Sequence, residues 1–107
     1  MRFPKILLIL AGAIACSTTK STDAEAVSYD LEPQMVASGV YVFWGKQEPF
    51  SRQNGANIVN TGFIVGEEAI LVIDAGPTHL YSREMINAIR KISPLPIRFA
   101  VITHHHG

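Results

Sequence analysis

The chain has 107 residues, nine Lys+Arg against nine Asp+Glu, and a formal net charge of zero with His neutral. That balance excludes a strongly basic nucleic-acid binder, and 48% apolar residues exclude a wholly disordered chain. The length allows at most one domain, and a single cysteine excludes an internal disulfide framework.

The first residues read as an export signal. Met1-Arg2-Phe3-Pro4-Lys5 is basic, Ile6 to Ala15 is apolar, and small residues follow. The run is shorter than the roughly 20 residues that span a bilayer. Residues 1–15 are therefore expected to be a signal peptide. Their loss leaves seven basic and nine acidic residues. Cys16 follows at once and resembles the lipidated cysteine of bacterial lipoproteins. The alternative is plain cleavage after Ala13-x-Ala15. Either way the mature protein is expected in the periplasm, anchored to a membrane if Cys16 carries lipid. Residues 17–38 hold Ser, Thr, Asp, Glu and Ala without periodicity. Residues 16–38 thus read as a flexible tether and 39–107 as the folded part.

Val40-Tyr41-Val42-Phe43-Trp44 is β-branched and aromatic, a strand with Trp44 expected in the core. Residues 45–56 form a long loop with an Asn54-Gly55 turn signal. Asn57 to Val65 reads as a second strand, loosened by Gly62. Ala69 to Ile73 is a continuous apolar run, as in a strand buried on both faces. These last two are expected to form a hairpin. Asp74-Ala75-Gly76-Pro77 breaks the run, and Thr78 or Ser82 is suited to cap a helix. Met85, Ile86, Ile89 and Ile92 recur at helical spacing over 80–92. Ser93-Pro94-Leu95-Pro96 ends that helix, and Ile97 to Thr103 is a strand. The unit is β-α-β, with parallel strands.

The carboxyl ends of parallel strands are where such folds carry chemistry. Here the two ends are Asp74 and Thr103-His104-His105-His106-Gly107. Residues two apart in a strand share a face, so His104 and His106 are expected on one side. Two such imidazoles suit zinc, and also iron, copper or nickel. A solvated polar strand end is the bland alternative. Asp74 is either a carboxylate that orients a ligand histidine or a helix cap. His79, at the helix start, reads as surface.

This arrangement resembles the amino-terminal part of the metallo-β-lactamase superfamily. The likeness is carried by Ile73-Asp74-Ala75-Gly76 and by Ile102-Thr103-His104-His105-His106-Gly107, with Asp74 and His104 thirty residues apart. Asn60 to Gly66 and Pro94 to Arg98 look like the exported quinoprotein relay system zinc metallohydrolases within it. The resemblance implies an α/β fold: the amino-terminal half of an αββα sandwich, mostly β-sheet plus one helix. It implies His104 and His106 as ligands of a first metal and Asp74 as a supporting carboxylate. It implies two zinc ions, or iron, and metal-assisted hydrolysis of a small-molecule substrate by metal-bound hydroxide. The family's next Asp-His pair has no counterpart before the sequence ends, so the chain is expected to be the front portion of a longer product. With two matched ligands it is expected to be inactive as it stands. No catalytic side chain is identifiable. Phe50 and Arg52, with Trp44, are candidates for a substrate lip or for ordinary packing. The competing function is a non-catalytic lipoprotein binding module with a vestigial metal site; non-hydrolytic di-iron chemistry is a third reading.

Overall fold

A computed structural model describes residues 28–105. The expected signal peptide, Cys16, the first part of the tether and His106 lie outside them.

The elements follow in the order β1 (Gln34–Ala37), β2 (Val40–Phe43), β3 (Thr61–Val65), β4 (Ile70–Ile73), α1 (His79–Ile92) and β5 (Ile97–Val101). The five strands form one mixed sheet in sequential order. β1 to β4 pair antiparallel, and β4 pairs parallel with β5. A mixed sheet with one helix is the partial α/β sandwich that the resemblance implied. The β3–β4 hairpin and the β4–α1–β5 crossover are as the apolar pattern predicts.

α1 starts where Thr78, in extended conformation, accepts a bond from the Tyr81 N–H. It stops at Ser93, before Pro94, with Arg90 and Lys91 in the last turn, where the helix dipole favours cations. Its buried face is Tyr81, Met85, Ala88 and Ile89. The stripe is rotated from the expected one, and Ile92 is half exposed. This face covers Phe43, Phe63, Ile70 and Val72 of the sheet. Tyr41 stacks on Phe63 at 4.7 Å. The Tyr81 hydroxyl, 2.9 Å from the Thr61 hydroxyl, satisfies both buried groups. Gly76, at φ +82°, leaves room for the Tyr81 ring, because a Cβ there would collide with it.

Three expectations change. The folded part begins before Gly39. Tyr29 and Leu31 pack against the core, and β1 lies within the stretch read as tether. Tyr29 meets the Tyr81 ring edge-on at 5.0 Å, and its hydroxyl donates to the Gly55 carbonyl. Tyr29, Leu31, Met35 and Val36 are apolar or aromatic residues within a stretch whose average polarity is that of a tether. Trp44 is not core: it is 54% exposed, and its indole N–H donates to Gln34 across β1–β2. β4 is not buried on both faces either. Ile70 and Val72 lie under α1, whereas Leu71 and Ile73 are half-buried on the opposite side. The paired positions Val42, Gly62, Ile73 and Val101 share that second side. β3 starts at Thr61, because Asn57 spends its backbone groups on Lys46 and Asn54 in the loop.

Candidate functional site at the strand ends

β4 and β5 release their chains side by side. The last bond between them runs from the Asp74 N–H to the Val101 carbonyl, at 2.8 Å. Asp74 then adopts φ +56°, a left-handed conformation that costs most L-residues about 1 kcal/mol and that Asp tolerates. The turn brings its carboxylate to the segment leaving β5. Oδ1 accepts the Thr103 N–H at 2.8 Å, and Oδ2 accepts the Thr103 hydroxyl at 2.6 Å. The same hydroxyl lies 2.8 Å from His104 Nδ1, and Asp74 Oδ2 lies 3.9 Å from that nitrogen. The Asp74 side chain is 13% exposed and that of His104 is 45% exposed. The Thr103 hydroxyl holds the Asp74 carboxyl below the ordinary carboxylate range. Burial opposes this, and the Thr103 N–H and His104 reinforce it.

Asp74 is therefore not the helix cap, a role taken by Thr78. His104 is brought beside Asp74, but not by strand alternation. The β5 ladder ends at Val101, and Asp74 and Thr103 direct the chain beyond it. His105 is exposed. Thr103 is the residue that sequence reasoning missed as a site residue. Its signal was its place immediately before the first histidine.

Phe50 and Arg52 part company. Phe50, 72% exposed, lines a hollow of about 550 Å³ together with Ile58, Asp74, Ile102 and His104. Arg52 is exposed and does not line it. Trp44 borders a different hollow, with Lys46 and Asn60. His79 is exposed at the first position of α1. The loop that carries Phe50 is organised by Asn54, whose buried side chain accepts from the Ser51 and Ala56 N–H groups and donates to the Pro49 carbonyl.

The family model of the metallo-beta-lactamase superfamily matches residues 54–107. The match takes in β3, β4, α1, β5 and the histidine segment. The chain belongs to the metallo-beta-lactamase superfamily. No curated protein matches it. The superfamily includes metallohydrolases, which makes the donor set the relevant test. Among the described residues, no group of three or more His, Cys, Asp or Glu is placed to hold a metal ion. The surroundings of His104 do fit one. Ligating imidazoles are characteristically tied through their second nitrogen to a carboxylate, a carbonyl or water, and here Thr103 and Asp74 occupy that position. No helix among the described residues is long and apolar enough to cross a membrane.

Proposed function

We propose that this member of the superfamily is an exported metal-dependent hydrolase, with His104 and His106 contributing two ligands to a first metal and Asp74 steadying His104. The observation that carries this reading is the hydrogen-bonded set Asp74–Thr103–His104, seated at the carboxyl ends of adjacent parallel strands. Zinc, as two ions, is the metal that the superfamily resemblance favours, and iron is the alternative; imidazole donors suit both. When bound, zinc supplies a water acidified from ~15.7 toward ~7 and a Lewis acid for the oxygen of the bond under attack. The chain's own residues then orient the imidazole, through Asp74 and Thr103, and offer an apolar wall, through Phe50, Ile58 and Ile102, to a small-molecule substrate. Arg52 does not line that hollow, so the lip reading rests on Phe50. The finer likeness to the quinoprotein relay system zinc metallohydrolases rests on Asn60–Gly66 and Pro94–Arg98 alone.

Export rests on the basic–apolar–small order of residues 1–15, and anchoring rests on lipid at Cys16. Metabolic labelling with a fatty acid is expected to mark the protein and to fail for Cys16→Ser. Zero net charge gives no support to a nucleic-acid partner.

The intact protein, purified with its metal, tests the central reading. Elemental analysis is expected to find zinc or iron, and His104→Ala and His106→Ala are expected to lose both metal and hydrolysis of chromogenic esters or thioesters. The second reading is a non-catalytic lipoprotein binding module with a vestigial metal site. Metal retained with no hydrolysis across a broad ester, thioester, amide and lactam panel selects that module. No metal at all refutes the hydrolase and leaves the module.

A further inference from the structure

The Thr103 hydroxyl has one proton, and the geometry fixes where it goes. At 2.6 Å it donates to Asp74 Oδ2, since an ionised carboxylate can only accept. Toward His104 Nδ1, 2.8 Å away, the same oxygen can then only accept. A neutral imidazole carries one N–H and one lone pair. With Nδ1 as the donor, the lone pair falls on Nε2. The Thr103 N–H on Oδ1 holds the carboxylate in register with that hydroxyl.

We propose that Thr103 is a positioning residue that sets the tautomer of His104, placing the imidazole proton on Nδ1 and the lone pair on Nε2. Asp74 acts on His104 mainly through this hydroxyl, its own oxygen being 3.9 Å from the ring nitrogen. The consequence for metal binding rests on the metallohydrolase reading; the tautomer itself does not.

The test is nitrogen-15 NMR of the intact, metal-free protein with labelled histidines, at a pH where imidazoles are neutral. His104 is assigned by its loss in His104→Ala. In the wild type and in Thr103→Ser, His104 is expected as the Nδ1–H tautomer. In Thr103→Val, which keeps the backbone N–H to Asp74, a mixture of tautomers is expected. Zinc affinity, read by chelator competition, is expected to fall about tenfold in Thr103→Val and to recover in Thr103→Ser. A wild-type His104 in the Nε2–H form overturns the proposal outright, so a poorly folded valine variant does not shelter it. Unchanged Nδ1–H in a folded Thr103→Val overturns it as well. Correct tautomers with no zinc binding in any variant leave Thr103's role standing and sink the metal reading instead.

Discussion

Two regions of this small domain are built on different physics. The helix-covered face of the sheet is apolar and closely covered at its centre: Phe43, Phe63, Ile70, Tyr81 and Ile89 are each at most 1% exposed. The rim at the ends of β4 and β5 is exposed and polar, and a few hydrogen bonds around Asp74 and Thr103 hold it. The first region holds its shape because burying each large side chain contributes about 1.5–3 kcal/mol. The second holds a shape through direction. One carboxylate in a left-handed turn, bonded twice to one threonine, fixes a histidine beyond the last ladder pair. Packing thus supplies stability, and a polar set carried on it supplies chemistry.

Substitutions are expected to separate the two. Phe63→Ala, in the centre of the core, is expected to cost about 3–5 kcal/mol in denaturant unfolding. Its surviving folded fraction keeps the His104 tautomer; a tautomer lost with Phe63 would mean that the core directs the rim. Asp74→Ala is expected to cost only about 1–2 kcal/mol, because Thr103 is exposed and water replaces the lost acceptor. Its larger effect is a metal affinity lowered 10–100-fold.

Acid sharpens the comparison. The Asp74 pKa is depressed, so its stabilising contribution is complete above the ordinary carboxylate value of about 3.9. That contribution fades as pH falls through the lower folded value. Asp74→Asn is expected to flatten this part of the stability–pH curve, and an unaltered curve would place the acid sensitivity elsewhere.

Tyr81→Phe removes only the bond to Thr61 and is expected to cost about 1 kcal/mol. The smallest effect on stability belongs to Phe50→Ala, within about 0.5 kcal/mol, since the ring is mostly in solvent. A raised KM with kcat unchanged is expected if Phe50 lines the substrate hollow, whereas unchanged kinetics would make it ordinary surface.

Local pattern made much of this legible. The apolar run 69–73, the helical spacing of Met85 and Ile89, and the proline pair that closes the helix predict the hairpin and the β-α-β crossover, because periodicity and backbone limits act over a few residues. Pattern failed where long-range pairing decides. Four ordinary residues at 34–37 became a strand only because β2 was there to pair with. Trp44 looked like core by residue type, yet its ring found Gln34 at the sheet surface.

The sequence by itself determined which residue types stand at the two strand ends, and so Asp74 and His104 as candidates, since strand termination and residue chemistry are both local. Only the tertiary structure decided that Thr103 links them, that Phe50 shares their hollow and that Arg52 does not. Apart from the neighbours Thr103 and His104, those relations join residues 24 to 54 positions apart, and the φ of Asp74 and the path of a loop set them, which no spacing rule encodes.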